Sequence, residues 1–355
     1  IHQTTAAAEA FGETLLENWI NTAQESPAVA MNARGEAVVA WHVTDGSPKD
    51  VFAQRYNAEG LATGGVFRVN SFVDNIQAFP SVAIADNGDF VIVWHSNTQD
   101  PGGTQGVYGQ RYFADGTTNG AEFRINSFLG GAQRMPDVKF TPDGGFIVVW
   151  ENNNQDHPGQ SVELGIFGQR FDAEGNLVGD EFLVNTRTSG DQKDPHVAVD
   201  GAGNFVVSWF DATLPGGANG GVSFQRYDAE GNRVGVERRA DPGSVNLQVL
   251  STGAGVAMAA DGSFVITWAS WNNSTSSASV FARQYDADGT AIGDPVQVSS
   301  ASNGHHSNPS IAMTASGEFV ISWIGPDTNN VGVYAQKYDS SGQAVGGNFR
   351  LNAFT

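Results

Sequence analysis

The pentapeptide Phe90-Val-Ile-Val-Trp94 limits what this chain can fold into more than any other stretch, because it comes back five times. The other copies are Ala37-Val-Val-Ala-Trp41, Phe146-Ile-Val-Val-Trp150, Phe205-Val-Val-Ser-Trp209, Phe264-Val-Ile-Thr-Trp268 and Phe319-Val-Ile-Ser-Trp323. Successive tryptophans stand 53 to 59 residues apart, a period that marks a repeat architecture. In an extended chain Phe90, Ile92 and Trp94 point to one side and Val91 and Val93 to the other. Both sides are apolar, so this strand needs cover above and below. Each buried Phe, Val, Ile or Trp contributes roughly 1.5–3 kcal/mol by leaving water. One repeat cannot cover both of its own faces, so the six must fold together.

Three further strands surround the pentapeptide. Upstream is a short strand that opens on proline: Pro27–Met31, Pro80–Ile84, Pro136–Phe140, Pro195–Val199 and Pro309–Met313, with Ala254–Met258 lacking the proline. Proline suits the first residue of a strand. Tight turns such as Asp86-Asn-Gly88 and Asp143-Gly144 join it to the pentapeptide as a hairpin. A polar loop then leads to a third strand, Val107-Tyr-Gly-Gln-Arg-Tyr112 and its counterparts. A glycine turn and a fourth strand (Phe67–Asn70, Phe123–Asn126, Phe182–Asn185, Val296–Ser299, Phe349–Asn352) close the unit. The fourth repeat departs here, with Glu237-Arg-Arg239 predicting an irregular outer edge.

Four antiparallel strands per repeat, stacked face to face, predict an all-β fold: a six-bladed β-propeller, with an open stack of sandwiches as the alternative. Residues 25–355 supply the six repeats. Residues 1–24 are surplus: Phe11–Gln24 aligns with a fourth strand and its following loop, Trp19 falling where Phe72 and Phe128 stand. This outer-strand segment either completes the chain's own ring or pairs with another molecule.

A net charge of −20, with 18 Lys plus Arg, argues against nucleic acid and anionic membranes as partners. No apolar run reaches the length of a membrane span. The chain has no cysteine, hence no disulfide, thiolate metal site or cysteine nucleophile.

The combined string Phe-Val-Val-x-Trp, Gly-Val-Tyr-Gly-Gln-Arg-Tyr-Asp-Ala-x-Gly and Phe-x-Val-Asn resembles a repeat of large acidic secreted bacterial proteins, of the hemolysin-type calcium-binding and adhesin-like kind. The resemblance runs from about Phe11 to Asn352 and implies an extracellular location and a surface role. The Gly-Gly-x-Gly-x-Asp calcium nonapeptides of such proteins do not occur here as an array.

Variable loops on a rigid scaffold usually carry function. They follow the second strand and share a rim with the linkers between blades. Gln24, Gln77, Gln133 and Gln192 each stand three residues before a proline, and His306 takes the same place in the sixth repeat. They either tie down the linker backbone or ring the channel mouth as ligand groups. Trp271, in a loop rich in Asn and Ser, suits stacking on a sugar or capping of a blade edge. Asp100 and Asp156 are the best seeds of a calcium site, although no loop offers the dense oxygen set that calcium takes. His42 and His95 each follow their tryptophan onto the rim. The Gln-Arg pair of strand three recurs too regularly for an active site, and stem packing with an ion pair or aromatic contact is its expected role.

No nucleophile elbow, phosphate loop or His-Glu-x-x-His is present, which argues against an enzyme. These features predict a secreted, non-catalytic module that recognises a glycan or surface partner. The alternatives are a structural subunit that assembles into homo-oligomers through its N-terminal segment, and a polysaccharide lyase or hydrolase.

Overall fold

The structure, a computed structural model, describes residues 23–44, 49–156, 163–214, 220–242, 247–249, 254–300, 304–327 and 331–352. Six antiparallel sheets follow one another in chain order around a central channel, forming a six-bladed β-propeller. Among the described residues no helix is long and apolar enough to cross a membrane. The surplus segment Phe11–Ile20 lies outside the described residues.

The second blade shows how the repeat builds a sheet. Gln77–Ile84 lines the channel, Phe90–Asn97 and Gln105–Tyr112 lie in the middle, and Phe123–Arg124 is the outer edge. The fourth-strand asparagine is a staple: Asn126 Oδ1 accepts from Val107 N–H at 2.8 Å, as Asn70 does from Val51 and Asn185 from Ile166. Phe90 stacks on its cross-strand partner Tyr112, centroids 4.6 Å apart, and the same pair recurs in blades three to six.

Packing between blades is where the apolar residues meet. Phe90, Ile92 and Trp94 press on Val38, Ala40 and Val51 of the first blade, while Val91 and Val93 meet Phe146, Val148 and Trp150 of the third. All six repeat tryptophans are buried.

The Gln-Arg pair proves to be a latch, not the stem-and-ion-pair contact expected of it. The glutamine serves its own blade: Gln110 Nε2 donates to the carbonyls of Arg111 and Gly120. The arginine serves the next blade: Arg111 donates to the carbonyls of Ala173 and Glu174, Arg170 to those of Ala229 and Glu230, and Arg226 to those of Ala287 and Asp288. Two other local expectations also change. The fourth blade has a regular outer strand, Arg233–Arg239, because its backbone pairs as elsewhere despite the charged side chains. The fifth blade, lacking the proline, splits its inner strand into Leu247–Val249 and Val256–Met258.

Because the core lies between blades, truncating one tryptophan loosens two sheets at once. Trp150→Ala is expected to cost about 3–5 kcal/mol of unfolding free energy in urea titrations; a loss below 1 kcal/mol would contradict this packing.

Candidate functional site

In five blades the residue before the strand-one proline adopts positive φ: Ser26, Phe79, Met135, Asp194 and Asn308, all between 50° and 54°. Non-glycine residues avoid this region, and residues before proline avoid helical geometry. What forces it is a bulge at which the inner strand slips register against the second strand. Such bulges re-aim a side chain, and these five residues border the channel. The backbone repeats, but the side chains do not.

The position after each repeat tryptophan divides the molecule further. It holds His42, His95 and Glu151 in blades one to three, then Phe210, Ala269 and Ile324 in blades four to six. Polar chemistry is therefore gathered on one side of the mouth. A cavity of about 370 Å³ lies there, lined by Phe79, His95, Arg134, Glu151, Lys49 and Lys193 among others. It adjoins the channel of about 1010 Å³, sharing Phe79, Met135, Glu151 and Lys193 with it.

Phe79 stands between two imidazoles, its centroid 5.4 Å from that of His42 and 5.3 Å from that of His95. It is 39% exposed, an apolar platform at the opening. His42 is buried, with Nε2 3.5 Å from a Glu25 carboxylate oxygen and Nδ1 facing Phe79 N–H. His95 is buried, and its Nδ1 has no hydrogen-bond partner. Burial above all, then the positive charges of Arg134, His42 and Lys49, pulls its pKa from 6.5 to about 4. It is a neutral imidazole at neutral pH.

Glu151 faces this group from the third blade. One carboxylate oxygen is 3.4 Å from Arg134 and the other accepts from Asp194 N–H at 3.2 Å. Burial nevertheless pushes the carboxyl above its ordinary value. Arg134 Nε also has no hydrogen-bond partner. Deeper in the channel, Asp137 accepts from Ser81 Oγ at 2.8 Å and Val197 N–H at 2.9 Å, binding the second, third and fourth blades. Burial drives its carboxyl up, but Lys139, His196 and that N–H together hold it below the usual range.

Most residues singled out by sequence lie elsewhere. Gln77, Gln133 and Gln192 are fully buried, and each donates to the carbonyl three residues earlier (Asp74, Gly130, Ser189) at 2.8, 2.6 and 3.3 Å. They grip the linker, so they do not form a rim of ligand groups. Gln24 is exposed at the head of the first strand. His306 is buried, its N–H donating to Ala278. Trp271 is half-buried and stacks on His305, centroids 4.7 Å apart, in the fifth blade. Asp100 is buried, accepting from Tyr108 OH at 2.6 Å and Asn126 at 3.0 Å, while Asp156 lies against Gly165 one blade on. These partners occupy Asp100 as a structural acceptor, and among the described residues no group of three or more His, Cys, Asp or Glu is placed to hold a metal ion. The pocket's own residues were missed as a group. The signal was present in the break from polar to apolar after the tryptophans.

No protein-family model matches the sequence, and no curated protein matches it. Solved structures do. A Dyadobacter fermentans protein of unknown function superposes with a TM-score of 0.58 at 12% identity, over 88% of this chain and 93% of its own. A polysaccharide lyase, an ulvan lyase bound to a -[GlcA(1-4)Rha3S]- saccharide, gives 0.60 at 11% identity, over 91% and 84%. An α-L-arabinanase of Penicillium chrysogenum bound to arabinobiose gives 0.56 at 10% identity, over 88% and 93%. At such identities the likeness establishes the fold. It also overturns the expectation of a non-catalytic adhesion module: propellers of this shape include polysaccharide-processing enzymes, in agreement with the lyase-or-hydrolase alternative.

The depressed pKa of His95 makes a pH prediction. The unfolded chain takes up a proton near pH 6.5 that the folded chain refuses until about pH 4. Stability from this site is complete above pH 6.5 and falls by about 3 kcal/mol as pH drops to 4. Urea titrations of the protein and of His95→Phe across this range should show a shallower decline in the variant; parallel curves would refute the assignment.

Proposed function

We propose that this protein is a glycan-processing enzyme, a lyase that cleaves an acidic polysaccharide at the pocket between the first and fourth blades. The observation that carries this reading is electrostatic. In a chain of net charge −20, three of the 18 Lys and Arg residues and a neutral histidine line a single pocket whose only lining carboxylate is Glu151. Its volume falls within the about 300–1,000 Å³ typical of small-ligand sites. Glycan-active propellers of the same fold support the reading.

In β-elimination a base removes the proton next to a uronate carboxylate, the bond to the leaving oxygen breaks, and a carbon–carbon double bond forms. The proton is acidic only if the carboxylate charge is offset, a role that suits Arg134, Lys49 and Lys193. Phe79 offers a face to the sugar ring. His95 Nδ1 is the base. Burial above all, and after it the positive charges nearby, holds His95 low; a bound carboxylate cancels part of that second contribution, so its basicity rises when substrate arrives. Glu151, with its carboxyl raised by burial, returns a proton to the leaving oxygen. An extracellular setting fits a polymeric substrate.

A glycoside hydrolase is the second reading, favoured by the carboxyl of Glu151, raised chiefly by burial, and by Asp194, which lines the adjoining channel and whose charge adds to that rise.

The test is digestion of uronate-containing polysaccharides and of neutral arabinan, following ultraviolet absorbance of unsaturated ends alongside reducing ends. A lyase raises both together on the uronate polymer. His95→Ala should lower kcat by at least about 10²-fold, and Arg134→Ala should raise KM by about tenfold. Reducing ends without absorbance select the hydrolase, and no product from any polymer rejects both.

A further inference from the structure

The positive-φ residues that border the channel differ in what holds them. In the fourth blade the N–H of Asp194 is accepted by Glu151, the residue after the tryptophan of the blade before, at 3.2 Å. In the second blade the N–H of Phe79 is accepted by Nδ1 of His42, which stands at the same place in the first blade, at 3.5 Å. The fold does not need this acceptor. Asn308 in the sixth blade holds a φ of 50° although the matching residue of the fifth, Ala269, carries no polar side-chain atom. Met135 in the third holds 51°, although the matching His95 Nδ1 has no hydrogen-bond partner among the described residues. The bulge alone therefore sets the backbone, and the His42 contact does something else.

Its chemistry follows from the two sides of the ring. His42 Nε2 lies 3.5 Å from a carboxylate oxygen of Glu25, its cross-strand neighbour on the first strand, while Nδ1 faces the Phe79 N–H. A neutral imidazole has one donor and one acceptor nitrogen, and only the tautomer with its proton on Nε2 satisfies both contacts. The other charged or titratable groups near the ring are Lys49, ahead of the third strand, and His95 on the next blade. Burial above all, then Lys49, keeps the pKa of His42 below its ordinary value against the pull of Glu25. The ring is thus neutral at neutral pH and its Nδ1 remains an acceptor.

Phe79 passes this contact on. Its ring lies nearly parallel to that of His95, 27° apart, and is tilted by 41° to that of His42. A phenyl ring 39% exposed at an opening is held only in part by its own packing. Tying its N–H to the first blade restrains the ring over His95. That cover matters because burial is the chief cause of the low basicity of His95.

We infer that His42 is a positioning residue for His95: as the Nε2–H tautomer it ties down Phe79, and the phenyl ring keeps water from the imidazole whose Nδ1 is left for substrate. The catalytic importance of this contact rests on the lyase reading; the contact itself does not.

Two-bond proton–nitrogen spectra of the imidazoles test the inference without any substrate. In the unaltered protein at neutral pH, His42 should carry its proton on Nε2; a proton on Nδ1 overturns the proposal, and this measurement needs no variant to fold. His95 should titrate near pH 4. His42→Phe fills the space but offers no acceptor, and should raise that value by at least about one pH unit as water reaches His95. His42→Asn, whose side-chain carbonyl can take the place of Nδ1, should leave it unchanged. Both variants remove the same imidazole, so the difference between them isolates the hydrogen bond. Equal changes in the two, or no change in either, overturn the proposal. On a uronate polymer, the acid limb of the kcat/KM profile should move up in His42→Phe and stay in place in His42→Asn. A merely structural loss lowers activity without moving that limb, and a limb that stays in place in His42→Phe overturns the positioning role. No cleavage by any of the three proteins rejects the lyase reading, while the spectra still decide the contact.

Discussion

Everything in this molecule rests on the second strand of each blade being apolar on both faces. A sheet with such a strand at its centre gains nothing by folding alone, because one face always stays wet. Stacking the sheets removes that penalty, and the clusters that result belong to pairs of blades: Ile92 and Trp94 against Val51, Val93 against Trp150, Val207 and Trp209 against Ile166. The arginine latches then add direction. Each reaches forward to the turn of the next blade and satisfies carbonyls that a turn would otherwise offer to water. Polar contacts thus tie each turn to the blade before it while apolar contacts supply the adhesion between blades.

That rigidity explains how the mouth can hold awkward backbone. A non-glycine residue at positive φ costs of order 1–3 kcal/mol, and five equivalent positions bear it. The bulge turns each of these side chains toward the channel border without disturbing the sheet beneath. Because the strain is the same in each blade, identity at that position is open to variation, and the chain has Ser26, Phe79, Met135, Asp194 and Asn308 there. Near Phe79 two imidazoles, an arginine and a buried glutamate converge. Three cationic side chains and one carboxylate line that pocket, although the protein as a whole is strongly negative.

The repeated pentapeptide and the Gln-Arg pair were read as scaffold, whereas the linker glutamines were also read as ligand groups around the channel mouth. The linker glutamines and the Gln-Arg pair have long side chains that can bond to many nearby carbonyls. Which carbonyl is chosen depends on a blade some 60 residues away, as Arg170 reaching Ala229 shows. Asp100 looked like a cation ligand because it sits among amides in a loop; folding delivers Tyr108 and Asn126 to it instead.

Periodicity, the two-sided pentapeptide and the glycine turns were sufficient to specify six antiparallel units stacked around an axis, since hydrophobic pattern and turn chemistry act over a few neighbouring residues. Only the tertiary structure brought His95, Arg134 and Glu151 into one pocket, with His42 against its Phe79, because they come from three blades whose separation in sequence hides their closeness.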